Sequence, residues 1–337
     1  MSLDIKTTPI AVLGAGSWGT ALAILLARNG NPTKLWARNS DHVADMQASH
    51  RNERYLGQID FPESLSVTDN IAEAIDGCRD ILVVIPSHAF HPVLDQIKPL
   101  ISDDTRIISA TKGLEPGSGD LLIPTAKLVL GDRPYAVLSG PNFAKELAND
   151  LPTATTIACE DSEFLADLIR RFNNDRFRVY ASDDLIGVQL GGAVKNIIAV
   201  GAGIADGIGF GANARTALIT RGIAELTRLG VALGGKEATF KGLACLGDLV
   251  LTCTDNQSRN RRFGLAIGQG MSTQEAEESI GQVVEAVRNA KEVHELAHRM
   301  EIEMPICEAI YNILYKDVPP AEAAHTLLTR DLKFEDD

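Results

Sequence analysis

"IAVLGAGSWGTALAILLARNG", residues 10–30, is the stretch on which the fold turns. Four apolar residues at 10–13 read as a strand. Gly14, Gly16 and Gly19 follow in the spacing G-x-G-x-x-G, and an apolar helical pattern runs over residues 21–29. In a strand–turn–helix unit the first glycine permits the tight turn, and the second lets backbone approach a pyrophosphate. The third lets helix and strand pack closely, with the helix N-terminus facing the anion. The alternative is a glycine-rich turn that binds nothing. Its place at the start of an alternating domain favours a dinucleotide site.

Working outward, apolar β-rich runs recur at residues 33–37, 81–85, 106–110 and 135–139, with helical patterns such as 93–100 among them. Continuously apolar strands separated by helices argue for a parallel sheet covered on both faces. Two further strands, 155–158 and 177–181, flank a helix near 162–173. After about residue 183 the strand signals stop. Helical patterns remain at 183–205, 213–229, 236–241, 258–269, 272–281, 285–300, 304–314 and 319–326. The expected fold is therefore an N-terminal doubly wound (Rossmann-type) α/β domain, residues 1–183, followed by an all-α domain, residues 184–337, with the site in the cleft between them. A chain of 337 residues is long for one core. The tail "TRDLKFEDD" reads as frayed.

The net charge of −13 sets the surface against nucleic acid and anionic lipid, so an anion site must be a local basic pocket. No apolar run reads as long enough for membrane insertion. The opening "MSLDIKTTPIAVLGAG" lacks the features of a signal peptide. Five scattered cysteines, an odd number, read as reduced thiols of a cytoplasmic protein.

The second strand ends in "KLWARNS", without the acid that would hold a ribose 2′-hydroxyl. Arg38 stands there instead, either to pair with the 2′-phosphate of NADPH or as a solvated arginine. NADH remains possible. "ISATKGLE" sets Lys112 just beyond a strand's C-terminal end, the edge where open α/β sheets bind ligands, and "VVIPSHAF" places Pro86 and Ser87 likewise. In "LSGPNFAKELA" Gly140 and Pro141 break a strand before a helix opens at Phe143 and Ala144. "LGGAVKNIIAVGAGIADG" holds Lys195 and Asn196 among small and apolar residues. Such a lysine either snorkels to water or takes a charged partner. Asp248, in the apolar "GLACLGDLVLTC", would serve: each would offset the other's desolvation, leaving a lysine ready to exchange a proton. Ser258-Arg259-Asn260-Arg261-Arg262 place three arginines at a helix start, suited to a phosphate monoester. Arg261 and Arg262 read more simply as a solvated basic face.

Together "VLGAGSWGTALA", "IPSHAF", "ATKGLE", "SGPNFAKE", "AVKNIIAVGAGIADG", "CLGDLVLTCTDNQSRNRRFG" and "EMPICEAIY" resemble, nearly end to end, bacterial NAD(P)-dependent glycerol-3-phosphate dehydrogenase. The resemblance implies reduction of dihydroxyacetone phosphate to sn-glycerol 3-phosphate for phospholipid synthesis, by a homodimer. It implies Lys195 as proton donor and acceptor, with Lys112 and Asp248 beside it. It implies Gly140, Asn142, Ser258, Arg259 and Asn260 as substrate contacts. Ser17, Trp18, Arg38, Lys112, Ala144, Arg259, Val283 and Glu285 would touch the cofactor. Two residues depart from the family pattern: Asn142 stands where Ser or Thr is usual, and Cys245 replaces a glycine near Asp248.

Three other readings compete. His294-Glu295-x-x-His298 has zinc-hydrolase spacing, with Glu322 or His325 as a third ligand, but the same stretch reads as an amphipathic helix with Val293, Leu296, Ala297 and Met300 inward. The dehydrogenase motifs imply no metal. A dinucleotide domain with a helical partner also suits enzymes of hydroxyacids or sugar nucleotides, and a non-catalytic NADPH sensor. The arginine–asparagine cluster favours a phosphorylated substrate, and a sensor needs no Lys195–Asp248 pair.

Overall fold

The computed structural model describes residues 5–282, 284–331 and 334. Eight strands form one sheet: β1 (Ile10–Leu13), β2 (Thr33–Trp36), β3 (Leu65–Thr68), β4 (Asp80–Val83), β5 (Arg106–Ser109), β6 (Tyr135–Ser139), β7 (Thr153–Cys159) and β8 (Phe177–Ser182). Their order is β3-β2-β1-β4-β5-β6-β7-β8. All neighbours are parallel except β6 and β7, which are antiparallel. The order reverses between β1 and β4, and at such a switch point the strand C-termini open a crevice.

Every residue of β1, β4, β5 and β6 is buried, as a sheet covered on both faces requires. Along β1 the faces alternate. Ile10 and Val12 join the core beneath helix α1 (Ser17–Arg28), and Ala11 and Leu13 join the core on the opposite face. That second core is continuous with the interior of the helical half. Strand β3 falls outside the strands expected from sequence. It has four residues, with Ser66 exposed, and lies at the sheet edge, too short for a periodic signal.

A buried ion network closes the far end of the sheet. Asp80, the first residue of β4, accepts from Arg106 of β5 through both carboxylate oxygens, at 2.6 and 3.0 Å. Asp80 also accepts from Arg171 at 2.8 Å, and Asp167 takes the other arm of Arg106 at 2.7 Å. Asp167 and Arg171 lie on one helix, Ser162–Phe172, which this network ties to the sheet.

Beyond β8 all regular structure among the described residues is helical. Its axis is the 23-residue helix Leu185–Gly207, with Asp184 as its N-cap accepting from Gly187 N at 2.8 Å. This helix corrects one expectation: by length and composition it is apolar enough to cross a membrane. It is instead the core of the helical half, with 94% of that apolar window buried inside the protein. Helix Arg259–Gly268 lies against it backbone to backbone. A Cβ on Gly203 would sit 2.0 Å from the Arg261 carbonyl oxygen, and one on Gly264 would sit 2.1 Å from that of Val200. A π-helical turn at Leu243–Gly247 leads into a helix at Asp248–Thr254 that no sequence pattern announced.

Candidate active site

The glycine turn shows its steric logic directly. Gly14 has φ +120°, and a Cβ there would lie 2.2 Å from the Val84 carbonyl oxygen. A Cβ on Gly19 would lie 1.8 Å from the Gly14 carbonyl oxygen, so any side chain would push helix α1 off the strand. Gly16, the N-cap of α1, has no atom within 4 Å of where its Cβ would stand. Space is kept open in front of the helix N-terminus, where backbone N–H groups meet an anion. Ser17 and Trp18 form the first turn. The Trp18 indole N–H is buried without a hydrogen-bond partner. These features fit a dinucleotide pyrophosphate.

Arg38 is exposed two residues beyond β2. Burial, then the positive charges of Arg288 and Arg38, hold the His88 imidazole below its ordinary value. Arg288, on helix Glu285–Arg299, therefore shares a basic neighbourhood with Arg38 across the cleft. It was not among the sequence candidates.

At the sheet's C-terminal edge the two halves meet on one carboxylate. Asp248 opens its helix and is 1% exposed. Its Oδ1 accepts from Lys195 Nζ at 2.6 Å, and its Oδ2 from Lys112 Nζ at 2.6 Å. Lys195 thus takes the charged partner, not a path to water. It also donates to Thr252 Oγ1 at 2.8 Å. Thr252 escaped the sequence reading, although it lies four residues after Asp248 on the same helix face. Burial pushes the Lys195 ammonium down to about 7, against the opposing pull of Asp248. Burial raises the Asp248 carboxyl, yet the two ammonium groups outweigh it and hold it below its ordinary value.

The neighbouring polar groups converge from the helical half. Asn196 is buried one residue beyond Lys195, and its Oδ1 accepts from Asn260 Nδ2 at 2.8 Å. Ser258 caps helix Arg259–Gly268, accepting from Arg261 N at 3.2 Å. Arg259 donates to Gln282 Oε1 at 3.0 Å, and burial lowers its guanidinium against the pull of Glu285. Burial lifts the Glu285 carboxyl to about 7 despite Arg259 and Arg288. Val283 lies outside the described residues.

One basic residue needs correction. Arg261 is no solvated face: it is buried, donating to Asp206 Oδ2 at 2.5 Å, to the Cys253 carbonyl at 3.1 Å and to Asn256 Oδ1. Asp206 sits near the end of helix Leu185–Gly207, so Arg261 fixes the first turn that presents Arg259 and Asn260. Arg262 is exposed, as expected.

The N-terminal half contributes Gly140, directly after β6, where a Cβ would stand 2.9 Å from Thr155 Cα. Asn142 spends its amide nitrogen on Thr153 Oγ1 at 2.7 Å and the Ala154 carbonyl at 2.9 Å. Its buried Oδ1 has no partner, so it retains an acceptor and no donor. Ala144 begins the short helix Ala144–Ala148. The Cys245 thiol donates to the Gly187 carbonyl at 3.4 Å. His294 stacks on Tyr311 with ring centres 3.8 Å apart and meets His298 edge-on. Among the described residues no three of His, Cys, Asp and Glu converge as metal ligands.

Residues 9–165 match the model of the NAD-dependent glycerol-3-phosphate dehydrogenase N-terminus, and residues 184–325 that of its C-terminus. The glycerol-3-phosphate dehydrogenase [NAD(P)+] of Colwellia psychrerythraea is 59% identical over 337 residues, covering 99% of this chain and 100% of that protein. That of Idiomarina loihiensis is also 59% identical, covering 98% and 100%. The crystal structure of glycerol-3-phosphate dehydrogenase from Coxiella burnetii is 52% identical, with TM-score 0.94, covering 96% of this chain and 99% of that one.

Proposed function

The chain belongs to the family of bacterial NAD(P)-dependent glycerol-3-phosphate dehydrogenases, and from that premise we propose how its cleft reduces dihydroxyacetone phosphate to sn-glycerol 3-phosphate. The observation that carries the mechanism is the buried carboxylate of Asp248 shared by Lys195 and Lys112. A bound nicotinamide cofactor, NADPH or NADH, would supply the hydride that the reduction requires. Gly14, Gly16, Ser17, Trp18 and Gly19 would hold its pyrophosphate. Arg38 would pair with a 2′-phosphate, and Ala144 and Glu285 would complete its surroundings.

Lys195 protonates the carbonyl oxygen as negative charge gathers there, and withdraws the proton in the reverse direction. Its titration near 7 suits both tasks at neutral pH. Asp248 and Thr252 aim the ammonium group. Lys112 supplies a second positive charge where the oxyanion develops. Arg259, Asn260 and the helix start capped by Ser258 hold the phosphate, with Gly140 and Asn142 on the opposite wall. Closure of the halves would exclude water from the transfer.

We place the domain boundary at Asp183 and Asp184, supported by the end of β8 at Ser182 and the helix start at Leu185. The cysteines are unpaired and buried, which supports a cytoplasmic enzyme. We take it to be a homodimer, in line with the family. A non-catalytic sensor is disfavoured because it gains nothing from gathering two lysines on one buried carboxylate. The test is the initial rate of NADPH oxidation with dihydroxyacetone phosphate and with unphosphorylated dihydroxyacetone, together with the Lys195→Ala variant. Turnover of the phosphorylated ketone only, lost in that variant with NADPH binding retained, is expected. Normal turnover by Lys195→Ala would overturn the mechanism.

A further inference from the structure

Asn289 is fully buried on helix Glu285–Arg299 and touches both halves of the proton-transfer site. Its Nδ2 donates to the carbonyl of Ala193 at 3.1 Å, two residues before Lys195 on the central helix. Its Oδ1 is buried without a hydrogen-bond partner and faces Gly113, the residue after Lys112. Gly113 has φ +140°. A Cβ there would lie 3.1 Å from Asn289 Oδ1 and 2.9 Å from Ser87 Oγ, itself fully buried and unpartnered. The turn carrying Lys112 is thus pinched between the start of helix Ser87–Ile97 on one side and Asn289 on the other.

A buried acceptor left unpaired costs roughly 1–3 kcal/mol, and an apolar side chain would fill the same volume without that cost. Simple glue between the halves does not need an amide here. What only a polar, rigidly held side chain supplies is registration: one end grips the backbone of the lysine helix, and the other stops the Lys112 turn.

We propose that Asn289 is a positioning residue for proton transfer, setting the Lys112–Gly113 turn against the central helix at Ala193 so that both lysines reach Asp248. The proposal rests on the assignment of Lys195 and Lys112 to proton transfer. Asn289 touches no reacting atom. It acts through Lys112 and Lys195, whose ammonium groups each lie 2.6 Å from one carboxylate oxygen.

The experiment is steady-state kinetics of the full chain, with NADPH and dihydroxyacetone phosphate, for Asn289→Ala, Asn289→Leu, Lys112→Ala, the Asn289→Ala/Lys112→Ala pair and Lys195→Ala. Asn289→Leu refills the volume, so it guards against a simple cavity effect, and thermal unfolding reports any loss of fold. The expected result is a ~10- to 100-fold fall in kcat for both Asn289 variants, the scale of a small misplacement. Both KM values should stay within about threefold, and the pair should be little worse than Lys112→Ala alone, as residues acting as a unit behave. An unchanged kcat, or losses that multiply in full in the pair, overturns the proposal. Retained turnover in Lys195→Ala strikes instead at the underlying mechanism, so the two failures are distinguishable.

Discussion

Replacing Asp248 by Asn tests the electrostatic core of the mechanism. The substitution preserves shape and removes one charge, leaving Lys195 and Lys112 without the carboxylate that each meets at 2.6 Å. Breaking a buried pair costs ~3–5 kcal/mol. If the low end of that range falls on the Lys195 ammonium, its titration moves down by roughly two pH units. Where the pH lies above both titrations, that shift removes up to ~100-fold of the proton donor. In acid, where the wild-type lysine is already protonated, the same shift costs far less. The assay is the rate of NADPH oxidation with saturating dihydroxyacetone phosphate across that pH range. In the wild type the reduction rate should fall as pH rises through about 7, because the donor form of Lys195 is lost. In Asp248→Asn the fall should begin roughly two pH units lower, with the defect shrinking in acid. A defect of equal size at every pH would refute the reasoning, since Asp248 would then be orienting groups without holding the proton.

Three further outcomes follow from the same geometry. Arg259→Ala should raise KM for dihydroxyacetone phosphate by ~10- to 100-fold, the worth of charge-assisted hydrogen bonds; an unchanged KM in steady-state kinetics would remove Arg259 from the phosphate site. Arg38→Ala should lower kcat/KM for NADPH by ~10-fold or more and leave NADH nearly unaffected. Parallel rates with both cofactors check this, and equal losses would make Arg38 a bystander. Asp80→Ala strands Arg171 in the buried network, leaves Arg106 with Asp167 alone, and should cost ~3–5 kcal/mol of stability. Denaturant unfolding reads that cost, and a loss under about 1 kcal/mol would mean that the arginines find other partners.

Much of this was legible in the chain because the decisive features are contiguous. Gly14, Gly16 and Gly19 lie within six residues and between elements of opposite periodicity, so local sterics could be read directly. Lys195 and Asp248 could be matched across 53 residues because each buried charge needs a partner. The misses have physical reasons too. Arg261 and Arg262 are identical in type and adjacent, and it is Asp206, far away in sequence, with Cys253 and Asn256, that makes one of them a buried tie. Thr252 reads as an ordinary helical residue until a lysine arrives from another helix. Asn142 offered an amide on paper, but β7 takes its donor first. Strand β3 is a four-residue edge whose pairing with β2, not its own pattern, makes it a strand.

The two lysines have an asymmetric logic that a single ion pair would lack. With Lys195 protonated, the buried group carries two positive charges and one negative, and that excess is what burial opposes most strongly at Lys195. When Lys195 gives up its proton, Lys112 and Asp248 remain as a balanced pair, still joined at 2.6 Å. No buried charge is left alone after the transfer, so the site need not reorganise to stabilise the product state. Remove Lys112, and deprotonating Lys195 would strand Asp248 as a lone buried anion, which would hold the proton on the lysine. Lys112 therefore makes Lys195 acidic while Asp248 keeps both in place. On this argument Lys112→Ala should shift the fall in the reduction rate to higher pH, opposite in sign to Asp248→Asn. Shifts of the same sign in the two pH profiles would break the account of the triad as a proton-release device.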